Sequence, residues 1–180
     1  MALQQAESQS LVLPLADDSA TKALGRALAG LLRPGDLVAL HGDLGSGKTT
    51  LARAVINALP DAAGESVEEE VPSPTFTLVQ IYERRPAPIW HFDLYRLMAP
   101  EEAYELGLEE ALAEAITLIE WPERLGPLLP SVRLDLQLAF VQDPAGRQAT
   151  LSGGGDWPMR LAALEAAWTE QMVRHDGSGA

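Results

Sequence analysis

Gly42-Asp43-Leu44-Gly45-Ser46-Gly47-Lys48-Thr49 has the spacing G-x-x-x-x-G-K-[ST] of a phosphate-binding loop. Glycines at these offsets let backbone N–H groups converge on phosphate oxygens, and a helix starting inside the loop adds its dipole. The lysine of such a loop reaches the β- and γ-phosphates and the following hydroxyl holds magnesium. Lys48 and Thr49 are therefore the expected ligands of a nucleoside triphosphate and its Mg2+. The plain alternative is a tight strand–helix turn without a ligand.

Phosphate chemistry also needs a carboxylate to organise magnesium and a group to orient the attacking water. In an open α/β sheet such groups belong at the C-terminal ends of strands, beside the loop. Asp93, after Ile89-Trp90-His91-Phe92, and Glu120, after Ile116-Thr117-Leu118-Ile119, stand at two such ends. Either acid suits the metal-organising role; a helix N-cap or a surface acid is the alternative for each. His91 reads as a positioned strand residue rather than a metal ligand. Guanine readout by [NT]-K-x-D is excluded by the two lysines: Lys48 belongs to the loop, and Lys22 has Leu24 where the Asp must stand. ATP, with ADP as its product, is the expected nucleotide.

The elements that position these residues follow from hydrophobic period and punctuation. Residues 11–15 form a weak first strand, and Asp17-Asp18-Ser19 supplies N-caps for a helix over 18–32 carrying Leu24, Leu28, Leu31 and Leu32. Asp36 to His41 is an apolar strand entering the loop, and Lys48 to Leu59 is an amphipathic helix leaving it. Residues 61–70 read as a solvated acidic loop. Thr77 to Glu83 and Pro88 to Asp93 are strands whose short connection requires antiparallel pairing. Pro100 to Ala115 is helical with a break at Leu106-Gly107-Leu108, and Ala115 to Glu120 is a buried strand. Arg133 to Phe140 and Arg147 to Leu151 pair across Asp143-Pro144-Ala145-Gly146. Ser152 to Gly155 reads as a turn, Trp157 to Trp168 lines a terminal helix, and residues 171–180 read as a frayed tail.

Composition bounds the function. The chain has 180 residues, 13 basic against 26 acidic, a net charge of −13, and no cysteine. One domain over residues 1–180 is expected, long enough for a core without staples. Thiol chemistry, disulfides and Cys-ligated metals are excluded, and the three separated histidines show no metal-ligand spacing. So large an acidic excess argues against direct gripping of phosphate backbones. No signal peptide or membrane span is legible, so a cytoplasmic protein is expected.

Four blocks occur together: the loop Gly42 to Thr50, Ser73-Pro74-Thr75-Phe76-Thr77-Leu78-Val79, His91-Phe92-Asp93-Leu94-Tyr95-Arg96-Leu97, and Ile119-Glu120-Trp121-Pro122-Glu123. In this order they resemble the TsaE family, small bacterial P-loop ATPases of tRNA threonylcarbamoyladenosine biosynthesis. The resemblance spans about residues 14–140 and includes Pro100-Glu101-Glu102 and Gly107. It implies an α/β three-layer P-loop NTPase fold with a mixed central sheet. It implies ATP binding by residues 42–49, Thr49 and Glu120 as magnesium ligands, Asp93 as a catalytic or metal-organising acid, and Trp121 at the nucleotide. Thr50 and Thr21 are further nucleotide-site candidates. Ser73 to Thr77 would form a switch-like segment, with an ordinary Ser-Pro turn as the alternative. Arg96 has two open roles, balancing phosphate charge or pairing with an acid. The resemblance further implies that the chain is not the transferase. It would instead support the transferase subunit and that subunit's paralogue through ATP hydrolysis, reaching tRNA through them.

Two other classes share the loop. A small-molecule kinase would close an arginine-bearing lid, for which Arg84, Arg85 and Arg124 are poorly spaced. A non-catalytic nucleotide sensor would not need both Asp93 and Glu120.

Overall fold

The computed structural model describes residues 10–141 and 146–176, with 171–176 described by backbone alone. Seven strands form one mixed sheet in the order β1-β7-β6-β2-β5-β4-β3. These are β1 Leu11–Leu15, β2 Leu37–His41, β3 Val79–Tyr82, β4 Ile89–Asp93, β5 Ile116–Glu120, β6 Leu134–Phe140 and β7 Arg147–Gly153. The inner strands β6, β2, β5 and β4 run parallel, whereas β3, β7 and β1 join antiparallel at the two sides. Pro14, which cannot donate to a ladder, lies on the edge strand β1, where a missing N–H is tolerated.

Successive residues of a strand point to opposite faces, and here each face has its own core. Ile116 and Leu118 of β5 join one cluster with α1 (Asp18–Ala29), α2 (Lys48–Ala58) and α5 (Trp157–Asp176). Ile119 and Phe92 join the other with α3 (Glu102–Glu105), α4 (Leu108–Glu114) and the 3-10 segment Pro122–Leu128. The result is the expected three-layer P-loop NTPase arrangement. The expected strand pairings and the break at Gly107, which has φ 83°, are also present.

Several details depart from the sequence reading. Helix α1 stops at Ala29 rather than 32, because single-turn bonds from Leu31 to Leu28 and from Leu32 to Ala29 tighten the chain there. Leu32 still reaches the core, so the hydrophobic period outlasts the helix. Strand β3 begins at Val79 rather than Thr77, since Leu78 turns left-handed at φ 67° with its N–H on Pro74. Strand β7 runs to Gly153 instead of ending before a turn at Ser152, pairing Ser152 with Asp135 and Gly153 with Leu134. The acidic loop 61–70 is exposed but tethered: Asn57 brackets the Glu69 backbone, and Glu69 pairs with the buried Arg84. Helix α5 continues through residue 176; residues 177–180 of the expected tail and most of the turn at 143–146 lie outside the described residues.

Helices α1 and α2 cross closely at Gly25, where a Cβ would lie 2.6 Å from the Ala54 Cβ and 2.9 Å from the Leu51 carbonyl. Gly25→Val forces these helices apart and should destabilise the chain by about 1–3 kcal/mol, the usual cost of overpacking. Thermal melting checks this; an unchanged midpoint would show that the crossing has slack.

Candidate functional site

Strand β2 delivers the chain into the glycine-rich loop, and α2 leaves it, so the loop sits at the C-terminal ends of the parallel strands. Gly42, Gly45 and Gly47 take φ values of 137°, 77° and 108°, a region that side chains resist. Gly42 is further committed, because a Cβ there would fall 2.4 Å from the Leu138 carbonyl oxygen. The neighbouring strand ends carry Asp93 and Glu120, which stand opposite each other in the β4–β5 ladder.

The residues then converge. The Thr49 hydroxyl lies 2.9 Å from both Glu120 oxygens. The Glu120 side chain is buried and its Oε1 also lies 2.8 Å from Nε2 of fully buried His91. The Asp93 Oδ2 accepts from the hydroxyls of Ser73 at 3.0 Å and Thr75 at 2.9 Å, and its Oδ1 accepts from the Tyr95 N–H at 3.1 Å. The left-handed turn at Leu78 accompanies this arrangement, drawing the Ser73–Thr75 segment over the strand end.

Lys48 is the buried lysine of the site. Its Nζ donates to the carbonyls of Gly42 at 2.5 Å and Asp43 at 3.0 Å, and lies 4.0 Å from the centre of the Trp121 ring. Burial pushes the ammonium below its usual range, while Glu120, Asp93, Glu123 and Asp43 pull it back. Trp121 is itself left-handed at φ 59°, a strained backbone of the kind that costs about 1–3 kcal/mol and gathers at functional sites. Its ring also meets Tyr95 at 5.0 Å.

A cavity of about 200 Å3 opens among Leu44, Gly45, Lys48, Thr49, Glu120 and Trp121. Thr50, Gly47, Ser73, Thr75 and Asp93 border it as well. Its oxygen donors are hydroxyls and carboxylates, the hard set suited to magnesium. Among the described residues no cluster of three or more His, Asp or Glu forms a closed metal cage. A larger cavity of about 420 Å3 lies between α1 and α2, but it has neither the loop amides nor Thr49 and Glu120. Its cations Lys22, Arg26 and Arg53 share the space with Glu68, and Lys22 is paired with Asp18. The glycine-rich loop, Thr49 and Glu120 all border the smaller cavity.

Not every expected residue arrives there. Ser46 is buried within the loop with its hydroxyl unpartnered, and Asp43 contributes its carbonyl to Lys48. Thr21 is fully buried, its hydroxyl on the Asp17 carbonyl and its methyl behind Gly47; it does not line the cavity. Among the described residues Arg96 forms no ion pair with an acid; its guanidinium lies 4.5 Å from the centre of the exposed Phe76 ring. Conversely, Arg147 lines the cavity from the start of β7, its Nε buried without a partner. It lies a hundred residues beyond the loop with no local motif around it, so only sheet pairing could have located it.

A family model described as "Threonylcarbamoyl adenosine biosynthesis protein TsaE" matches residues 15–149. A tRNA threonylcarbamoyladenosine biosynthesis protein TsaE of Rickettsia bellii is 43% identical over 141 residues, 78% of this chain and 92% of that protein. The protein of the same name from Bacillus subtilis is 32% identical over 157 residues, 87% and 89% of the two chains. A crystal structure of Bacillus subtilis YdiB superposes with a TM-score of 0.67 at 26% identity, covering 96% of this chain and 99% of the other.

Proposed function

Since the chain belongs to the TsaE family of tRNA threonylcarbamoyladenosine biosynthesis, we propose that it serves that modification as a magnesium-dependent ATPase and leaves threonylcarbamoyl transfer to partner subunits. The observation that carries this reading is the contact of Thr49 with both Glu120 oxygens beside Lys48. A hydroxyl at the start of a helix, a carboxylate at a strand end and a buried lysine then face one small cavity.

Thr49 and Glu120 would hold the magnesium, which when bound neutralises charge on the β- and γ-phosphate oxygens. Lys48 exchanges its two carbonyl partners for phosphate oxygens, which restores a full complement of acceptors to a desolvated ammonium. The loop N–H groups and the α2 dipole add positive potential at the same place. Asp93 orients the attacking water or the metal's outer sphere. Ser73 and Thr75, now donating to Asp93, can redirect their hydroxyls toward a γ-phosphate and so report the nucleotide state to the segment that carries Phe76.

Partner subunits of the transferase complex fit the exterior of this site. Leu44, Phe76 and Tyr95 project apolar surface to solvent from segments around the cavity, with Leu44 and Phe76 78% and 81% exposed. Exposed apolar surface beside a site is what a protein partner covers. The acidic chain then meets tRNA only through that assembly. Residence in the cytoplasm is consistent with this; among the described residues no helix is long and apolar enough to cross a membrane.

Steady-state phosphate release tests the proposal. Turnover should be slow for the chain alone and rise at least about tenfold with the purified transferase complex, since trans activation of P-loop enzymes reaches ~10³–10⁵. Absence of release in both mixtures would overturn the ATPase reading. A stoichiometric phosphorylated metabolite would assign the chain to kinases instead.

A further inference from the structure

Strand β4 turns Ile89, His91 and Asp93 toward the same face as α2, because residues two apart share a face. Ile89 is a core residue there, and His91 occupies the next inward position with no exposure. An apolar side chain would serve packing at that point. The imidazole instead places Nε2 2.8 Å from Glu120 Oε1. Glu120 is a carboxylate and accepts only, so Nε2 carries the proton and donates. Nδ1, on the other side of the ring, is buried without a partner. A buried polar group left half-satisfied is costly, and the contact with Glu120 is what this histidine supplies in return.

We infer that His91 is a positioning residue: its Nε2–H fixes the Glu120 carboxylate so that Glu120 and the Thr49 hydroxyl present a preset pair of oxygen ligands to the cavity. This rests on the proposed magnesium site. Thr49 and His91 meet at Glu120, and the three residues differ in origin. Thr49 comes from the start of α2, His91 from the middle of β4, and Glu120 from the end of β5. Without His91, Oε1 keeps only the Thr49 hydroxyl, and that hydroxyl must turn toward the ion when it binds. The carboxylate would then be free to rotate. Neighbours that orient a metal-binding carboxylate in this way are typically worth 10–100-fold in metal affinity.

The experiment compares His91→Gln and His91→Asn. The glutamine amide nitrogen can occupy the place of Nε2 and still donate to Glu120, whereas the asparagine amide falls short of it. Nucleotide binding is measured with a fluorescent ATP analogue while magnesium is varied, and again with chelator present. His91→Asn should raise the magnesium concentration for half-maximal binding by about 10–100-fold. Affinity with chelator should stay at the wild-type value, because the loop and Lys48 are intact. His91→Gln should keep the magnesium response within about threefold of wild type. Thermal melts establish that both variants are folded, and a merely structural histidine would move the melts without moving the magnesium midpoint. An unchanged midpoint in folded His91→Asn, or equal midpoints for the two variants, overturns the inference while leaving the ATPase reading in place. Wild-type binding that ignores magnesium overturns both.

Discussion

Lys48→Ala should abolish measurable ATP turnover and weaken triphosphate binding by about 30-fold to several thousandfold. The range follows from the 2–5 kcal/mol lost when one partner of a buried, hydrogen-bonded charge pair is truncated, at 1.4 kcal/mol per tenfold. The free protein should suffer far less. In it, Lys48 donates only to the Gly42 and Asp43 carbonyls and lies on Trp121, and burial disfavours its charge. Losing those contacts is offset by no longer desolvating an ammonium. Linkage gives the same sign. A lysine whose folded pKa is depressed makes the unfolded chain the better proton binder between that value and 10.5. Free-protein stability therefore rises with pH across this window, and the variant should lose that slope. Titration calorimetry and melts from pH 7 to above 10 check both parts. Turnover and binding at wild-type levels would remove the phosphate-loop assignment.

Glu120→Gln should lower hydrolysis by about 10²–10⁴-fold, the several kcal/mol of charge stabilisation that a misplaced magnesium forfeits. The amide keeps the shape and can still accept from Thr49 and His91, so the fold should persist. Glu120→Ala should lose the same activity and in addition about 1–3 kcal/mol of stability, since the N–H of fully buried His91 is left without an acceptor. Matched melts and phosphate-release assays separate the two effects. Wild-type hydrolysis by Glu120→Gln would take Glu120 off the metal; an unfolded Glu120→Gln would make the carboxylate structural.

The site divides cleanly into what is local and what is not. Gly42 to Thr49 is contiguous, and the chemistry expected of it is written in residue spacing, because its glycines and its Lys-Thr pair lie within eight consecutive residues. Asp93 and Glu120 were legible as acids closing apolar strands. That their two strands adjoin was not, and the β4–β5 ladder is what sets the two carboxylates side by side. Thr21 shows the opposite failure. Its place on α1 brings it behind Gly47, but burial turns its hydroxyl to its own helix and away from the cavity.

Sequence alone determined the class of this protein: hydrophobic period set the order of helices and strands, glycine and proline set most of their ends, and loop spacing set the chemistry to be expected of it. Side-chain partnerships were decided only by the tertiary structure. His91, Glu120 and Thr49 are 29 and 71 residues apart along the chain, and Arg147 is farther still from the loop it faces. Strand register and helix docking are global outcomes of burying apolar area on two faces of one sheet. A hydrogen bond between distant residues exists only after that burial has fixed where each backbone lies.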